Sequence, residues 1–391
     1  MKIIIYRGTR QIGGVATEIC TQTTRIIIDM GEELGLEENF LPAPLNISGV
    51  TNADGICDAV LVTHYHGDHT GQLKNVREDI PLYMGELTKE VLLLSLQNEM
   101  ETFKNRISAA NVFEQGKTFF IGDIRITPYC IDHSAYDSYM FLIEAESKRI
   151  LFTGDFRLHG FRGKAIPKIL SSLVKKVDVL ITEGTTLSRS QNSVMTEWEL
   201  IEKAKKYFVD HKYVYVLCAS TNLERICAFS RATPRGKYFI CDKYQYALLN
   251  AFEKSAGKYS NWFCGIKKTT YGKNILGKLK RYGFVMLVRD NNFFRQLIQN
   301  FDRDKSIMLY SMWDGYRSKP GSRIPQFLEL SESWASLHTS GHAGIDGISL
   351  FVEKTSPSHI VPMHTDSPDV LKKVWPNKVV LLTDGEEWIV P

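Results

Sequence analysis

No apolar run in the sequence is long enough to cross a membrane. The longest stretches, around Ile3–Tyr6, Ile26–Ile28, Val91–Leu96 and Val379–Leu382, fall far short of the roughly 20 residues a spanning helix needs. There is no C-x-x-C pair, and the seven cysteines are an odd number. Several of them (Cys20, Cys218, Cys241) sit in apolar β-like runs, where a reduced thiol packs as a small hydrophobe. A disulfide scaffold is thereby excluded, and a reduced, cytoplasmic protein is expected. Met1-Lys2-Ile3-Ile4-Ile5-Tyr6 opens directly on a strand-like run with no cleavage site after it, so no signal peptide is expected. Internal repeats, low-complexity tracts and long linkers are also missing. What remains is 391 residues, 43% hydrophobic and 24% charged, enough for sizeable cores and two or three domains.

The net charge of +4 conceals a strong asymmetry. Residues 188–334 hold 25 Lys and Arg against 13 Asp and Glu, a net of +12, while the rest of the chain carries −8. A basic segment of this kind is either solvated surface or the footprint of a polyanionic partner.

From residue 1 to about 185, short runs rich in Ile, Val, Phe and Tyr alternate with Gly, Asp and Asn. Lys2–Tyr6, Thr24–Ile28, Ala59–Thr63, Ile124–Pro128, Met140–Glu144, Ile150–Phe152 and Val177–Thr182 read as strands. Thr88–Asn105 and Lys164–Lys175 read as helices between them. From about Thr196 the texture becomes a βαβ rhythm. Helix Glu197–Asp210 and strand Tyr213–Cys218 are followed by helix Leu223–Ala232, strand Lys237–Cys241, helix Tyr244–Phe252 and strands Phe284–Val288 and Ile307–Tyr310. After about Ala335 the first texture returns, with helix Gly347–Lys354 and strands His359–Pro362 and Lys378–Leu382. The simplest account is one α/β domain formed by residues 1–187 and 335–391, interrupted by an independent parallel-sheet insertion over 188–334. The aromatics of Tyr244–Tyr259, at helical spacing, read as core rather than as a base-stacking surface.

The strongest chemical signal is His64-Tyr65-His66-Gly67-Asp68-His69, directly after the strand Ala59–Thr63. A strand emptying into a loop presents polar groups from a rigid mount. Four imidazole or carboxylate donors within six residues can face two adjacent metal positions, and that donor set suits Zn²⁺, or less specifically Mn²⁺ or Fe²⁺.

The pattern His64-x-His66-x-Asp68-His69 resembles the signature of the metallo-β-lactamase-fold hydrolases. The rest of that family's order follows. Ile26-Ile27-Ile28-Asp29 resembles the strand-end Asp beneath the metal loop, Ile131-Asp132-His133-Ser134 supplies a further His, and Phe152-Thr153-Gly154-Asp155 resembles the strand-end Asp between the metals. Val179-Leu180-Ile181-Thr182-Glu183-Gly184-Thr185 is similar to the acidic motif opening the β-CASP nuclease domain. Thr339-Ser340-Gly341-His342-Ala343-Gly344 and Ile360-Val361-Pro362-Met363-His364-Thr365 resemble its two later histidine motifs. The turn Ser220-Thr221-Asn222, with Arg225 one helical turn on, is similar to that family's nucleic-acid-contacting loop.

The resemblance to β-CASP nucleases (ribonuclease J and the mRNA 3′-end cleavage nucleases act on RNA, the crosslink-repair nucleases on DNA) covers essentially the whole chain. It implies an αββα sandwich with an inserted parallel-sheet domain. It implies two metal ions, His64, His66 and His133 on one, Asp68, His69 and His364 on the other, Asp155 bridging, with Asp29 and Glu183 accepting the ligands' N–H bonds. His342 would hold a phosphate oxygen or protonate the leaving group, Asp68 would also serve catalysis, and Ser220, Thr221, Asn222, Arg225 and Ser340 would contact nucleic acid. The implied reaction is hydrolysis of single-stranded RNA to 5′-phosphate and 3′-hydroxyl ends, with no membrane partner. His364 favours RNA over DNA, because DNA-directed members lack that histidine. The alternatives are a DNA nuclease, a small-molecule metallo-hydrolase, or an idle RNA-binding scaffold; the last has lost metal ligands, and this sequence has lost none. There are departures. The sequence ends at Pro391, without ribonuclease J's C-terminal domain, Gly344 stands where that family commonly has Ser, and Gly-Thr-Thr follows Glu183 where Ser-Thr is commoner. His159, His211, His338 and His359 read as structural or solvated.

Overall fold

The structure is a computed structural model and describes all residues except 36–39, 97–98 and 190–193. Its first sheet has seven strands in the order Glu387–Ile389, Lys2–Arg7, Ala16–Cys20, Arg25–Ile28, Ala59–Leu61, Leu82–Met84 and Asn111–Val112. The second has six, His359–Met363, Val179–Glu183, Lys148–Phe152, Tyr139–Ala145, Ile124–Cys130 and Phe119–Ile121. Side chains alternate across each strand, and the apolar pattern uses both faces. Ile26 and Ile28 join Ile3, Ile5 and Leu61 against Phe141, Ile143, Phe152, Ile181 and Val361 of the second sheet. Ile27 and Val60, one residue out of phase, pack outward with Leu92 and Ile107 of the flanking helices. Leu142, Leu151, Leu180 and Ile360 do the same on the other side, against Leu170, Ile348 and Phe351. Two sheets face to face with helices outside make the expected αββα sandwich.

The third sheet is wholly parallel, ordered Thr269–Thr270, Tyr238–Cys241, Phe284–Val288, Tyr213–Cys218, Ser306–Ser311 and Ser333–Ser336. Every residue of Tyr213–Cys218 is buried: Val214, Val216 and Cys218 enter one core and Tyr213, Tyr215 and Leu217 the other. That continuous hydrophobic run is the mark of a parallel strand covered on both faces. The first of these cores also takes in Tyr65, Leu87, Ala135 and Tyr136, so the insertion shares its interior with the metal-loop side of the sandwich. We retain 188–334 as the proposed extent of the insertion; the last strand of its sheet, Ser333–Ser336, runs across the second of those limits.

Three expected elements differ. The helix expected over Thr88–Asn105 is two helices, Glu86–Ser95 and Glu101–Ala109, and part of the segment between them lies outside the described residues. Lys164–Lys175 is a chain of short helical turns rather than one helix, with Pro167 entering its second turn. The strand expected at Lys378–Leu382 reduces to a single bridge between Val379 and Ile360. By contrast, Glu197–Asp210, Tyr213–Cys218, Leu223–Ala232 and Phe284–Val288 form with the expected bounds. Among the described residues no helix is long and apolar enough to cross a membrane, and all seven cysteines are free.

Candidate metal centre

The site lies where strands of both sheets end. Ala59–Leu61 runs into Thr63-His64, and the short helix Gly67–Thr70 then brings Asp68 and His69 back over the end of Arg25–Ile28. This return is tight: Val15 N–H donates to Asp68 O at 3.1 Å and Met30 N–H to His69 O at 2.9 Å. A Cβ on Gly31 would lie 1.7 Å from Asp68 O, so only glycine admits the loop there. Asp29 adopts a left-handed backbone, φ 62°, which turns its carboxylate under the loop. One oxygen accepts Thr63 N–H at 2.7 Å, and the other accepts Thr63 Oγ1 at 2.8 Å and His69 Nδ1 at 2.7 Å. The strand-end aspartate thereby fixes the ring of His69 with Nε2 pointing inward.

His64, His133 and His364 each have one nitrogen anchored and one turned to the same space. His64 Nδ1 meets Thr63 Oγ1 at 3.0 Å, His133 Nδ1 meets Gly341 O at 2.7 Å, and His364 Nδ1 meets Thr185 Oγ1 at 2.7 Å. Thr185, which looks incidental in the sequence, is therefore the group that orients His364. His364 itself follows the strand His359–Met363 in a left-handed conformation, φ 51°, a second strained non-glycine mount at this site. His342 Nδ1 pairs with Glu183 Oε2 at 3.0 Å, and Glu183 also accepts Phe156 N–H at 2.7 Å.

The free nitrogens converge. His66 Nδ1 lies 3.1 Å from both His64 Nε2 and His133 Nε2. His364 Nε2 is 3.1 Å from Asp68 Oδ2. Asp155 Oδ2 sits in the middle, 3.2 Å from His69 Nε2, 3.7 Å from His342 Nδ1, 3.8 Å from His364, 3.9 Å from His133 and 4.0 Å from His64. Its other oxygen is buried without a partner. Donor atoms of His64, His66 and His133 form one group and those of Asp68, His69, Asp155 and His364 a second, each within 4.8 Å. A third such group, His133, Asp155 and His342, overlaps both. Lone pairs held 3 Å apart in a buried site need something electrophilic between them, and an imidazole and carboxylate set fits a divalent cation.

The electrostatics agree. Burial, with the neighbouring imidazoles, pushes His64 and His133 well below the ordinary histidine range, and burial takes His66 down to about 4. They are thus neutral donors. Burial opposes charge on His69 and His342 as well, but Asp155 and Asp29 outweigh it at His69, and Glu183 and Asp155 raise His342 to about 9. Asp68, although buried among these rings, is held well below the carboxylate range, first by its bond to His364.

The side chains of all seven expected ligands therefore meet, with His342 beside them; Asp29 accepts the bond of the ligand His69, whereas Glu183 accepts His342 and backbone N–H groups rather than one of the seven. The expected nucleic-acid contacts fare differently. Ser340 sits at the site, its Oγ accepting His342 N–H at 3.0 Å. Ser220 and Thr221 are partly exposed, and Thr221 O accepts the hydroxyl of Tyr65 at 2.9 Å. Asn222 and Arg225 turn inward. Arg225 is 1% exposed, and its guanidinium is committed to Glu197 at 2.6 Å and Thr339 O at 2.9 Å, so it cannot reach a bound strand. His159 bonds Ser340 O at 2.8 Å rather than lining a cleft. Sequence reasoning missed Arg157, Glu197 and Asp132 as parts of this neighbourhood. Only Asp132, beside His133 in its motif, carried any signal; nothing in the sequence around Glu197 distinguishes it from an ordinary residue of a helical first turn.

Residues 24–214 match the model of the β-lactamase superfamily domain. The chain is similar to a protein named probable RNase MJ4 of Methanocaldococcus jannaschii, 26% identical over 224 residues, 52% of this chain and 50% of that one. It is also similar to endoribonuclease ysh-1 of Neurospora crassa, 32% identical over 149 residues, 33% of this chain and 17% of that one. It thus spans half or less of the length of these two curated relatives. A crystal structure of a protein of unknown function from Enterococcus faecalis V583 shares the fold, with a TM-score of 0.76 at 19% identity over 99% of both chains. What residues 24–214 match is also what the two facing sheets and their histidine-lined edge build: the chain carries a domain of the metallo-β-lactamase fold.

Proposed function

We propose that the protein is a metal-dependent ribonuclease of the β-CASP type, cutting single-stranded RNA to leave 5′-phosphate and 3′-hydroxyl ends. The observation that carries this is Asp155 Oδ2, which lies within 4.0 Å of five histidine nitrogens at the edge of a sandwich that carries a basic insertion. The relatives named RNase and endoribonuclease support the reaction class.

His64, His66 and His133 would hold one cation, Asp68, His69 and His364 a second, and Asp155 would lie between them, Zn²⁺ being the ion this donor set suits best. Bound there, divalent cations supply Lewis-acid polarisation of the phosphodiester and a water nucleophile at neutral pH. The chain's own residues do the rest. Asp29, Thr63, Thr185 and Gly341 O hold the ligand rings in their orientation. Glu183 engages His342 Nδ1, which leaves Nε2 as the ring nitrogen free for a phosphate oxygen or the departing 3′-oxygen. His342 and Asp68, at 21% and 14% exposure, with the partly exposed His66, are the open side of an otherwise buried cluster. Strand binding would draw on the basic insertion. Between sandwich and insertion lies a cavity of about 1050 Å³ whose wall includes Trp198, Tyr259 and Trp262 from the insertion and Phe161, Lys164, Glu86 and Glu114 from the sandwich, but none of the expected metal ligands. Tyr259, expected to be core, is 69% exposed, and Trp198 50%. Exposed aromatic faces beside cations suit unpaired bases. A reducing, cytoplasmic setting belongs to the same proposal, since none of the seven cysteines is paired.

The test is elemental analysis of the purified protein together with a cleavage screen on matched single-stranded RNA, single-stranded DNA and small esters. Bound metal and preferential RNA cleavage are expected. DNA cleaved as fast as RNA would remove the substrate assignment, and ester hydrolysis without RNA cleavage would make this a small-molecule hydrolase.

A further inference from the structure

Beside the histidine cluster lies a second buried set of charges that neither the fold nor the proposed chemistry accounts for. It starts at Asp132, the residue before His133. Asp132 Oδ1 accepts Arg157 Nε at 2.9 Å, and Arg157 Nη1 donates to Glu197 Oε1 at 2.6 Å. Glu197 in turn accepts Arg225 Nη2 at 2.6 Å and Arg225 Nε at 3.0 Å. Asp132 and Arg157 belong to the sandwich, whereas Glu197 opens the first helix of the insertion and Arg225 lies on its second. All four side chains are within 1% of complete burial. Signs alternate along the row, and the four charges cancel.

The row ends on the loop that carries His342. Arg225 Nη2 donates to Thr339 O at 2.9 Å and Arg157 Nη1 reaches Ser340 O at 3.4 Å. His159 Nε2 adds a bond to Ser340 O, and His159 O accepts the Glu197 backbone N–H at 3.0 Å. The next residue, Gly341, is bound to the other end of the system, its carbonyl on His133 Nδ1 at 2.7 Å. A Cβ on Gly341 would come within 3.1 Å of the His133 ring, so the loop is pressed against that histidine.

From this geometry we infer that the Arg157–Glu197–Arg225 row is an interdomain latch: it holds Thr339-Ser340-Gly341-His342 against His133 only while the insertion is docked on the sandwich. Arg157, Glu197 and Arg225 are positioning residues acting through the loop. A buried ion pair seldom stabilises a fold more than apolar residues of equal volume would, but it fixes one arrangement against others. Here the arrangement fixed is the one that brings His342 to Asp155.

The inference rests on the ribonuclease reading for its consequence in catalysis but not for its structural content, and the test separates the two. Arg225→Met removes the Thr339 anchor and takes one of its two arginines from Glu197. Arg225→Met/Glu197→Gln also removes the anchor but restores neutrality. The single variant should unfold roughly 5–15 °C lower, and the double should regain most of that loss. In both, amide hydrogen exchange over residues 337–344 should speed up about tenfold or more while Tyr213–Cys218 stays protected. In both, kcat should be down roughly tenfold or more with KM little altered, the mark of a displaced group rather than a lost binding surface. If the double variant recovers wild-type exchange and kcat together with its stability, the row is only structural and the latch is wrong; unchanged exchange in Arg225→Met overturns it as well. A wild type that cleaves nothing, with the loop loosened in both variants, would refute the ribonuclease reading and leave the latch standing.

Discussion

The molecule holds buried polar groups in two opposite ways within a few residues of each other. In the histidine cluster, donors of one kind crowd together: His66 Nδ1 faces two other ring nitrogens at 3.1 Å, and an oxygen of Asp155 has no partner at all. In the ionic row, opposite charges alternate, and Glu197 pairs with two arginines, although Nη2 of Arg157 is left without a partner. The first arrangement gathers like donors and calls for something from outside; the second sets each charge against its opposite. A site that must bind carries its own frustration, whereas a site that must hold has already discharged it.

The comparison breaks most sharply at Asp155. Asp155→Asn keeps the shape and removes the charge shared by both donor groups. Metal content should fall, with cleavage down roughly 10³-fold or more. Elemental analysis beside a rate measurement decides it, and a variant that keeps its metal and its activity would show that the carboxylate is merely buried.

The next test separates two neighbours. His364 is mounted at a strand end with Thr185 on its outer nitrogen, whereas His342 is 21% exposed and has Glu183 on one side only. His364→Ala should lose metal and activity together. His342→Ala should keep its metal and still lose roughly 10²-fold in kcat, the usual loss for one transition-state donor. Metal loss in His342→Ala would instead favour the third donor group, in which His342 stands with His133 and Asp155.

The same contrast explains what the sequence disclosed. The candidate ligands come in short, chemically odd segments, because a strand end and its loop deliver several donors at once: His64 to His69, Asp155 after Phe152, His364 after Met363. Such segments are improbable by chance and legible in order. The insertion's helices and strands were legible for another reason, since Tyr213–Cys218 is a short continuous run of aromatic and β-branched residues, Glu197–Asp210 has a helical period, and Thr196 and Glu199 close a capping box. The ionic row was not legible. Arg225 reads as a surface cation one turn after a polar loop, and Glu197 reads as a helical first-turn acid; the packing of the insertion's first two helices makes them partners, and only the docking of the sandwich adds Arg157. A dipolar pairing across 28 residues leaves no period and no motif. Likewise nothing in Ser340-Gly341-His342 as sequence shows that the glycine lets the loop press on His133.

The smallest expected effect is a pH dependence that tells the two acids of the insertion's contact apart. Glu197, with two arginines, is held down to about 2 despite its burial. Glu224, on the helix Leu223–Ala232, has only Arg162 Nε at 3.1 Å, and its other oxygen has no partner. Burial pushes it up to about 7, with Asp132 adding to the rise and Arg162 and Arg157 opposing it; Tyr65, Tyr136, Cys130 and Cys227 are further ionisable groups close by. The sign follows from linkage. An acid that holds its proton more tightly when folded contributes stability that is fully present below its unfolded value of about 4.5 and is lost as pH rises through 7. Between pH 5 and pH 7 that loss is about 2 kcal/mol. Glu224→Gln keeps the neutral form at every pH. Denaturant titrations should therefore show the variant gaining on the wild type by about this amount across that interval, whereas Glu197→Gln should be the less stable protein at both ends of it. If Glu224→Gln loses ground as pH rises, the Arg162–Glu224 pair is a net stabiliser, and the two acids belong to one self-sufficient row after all.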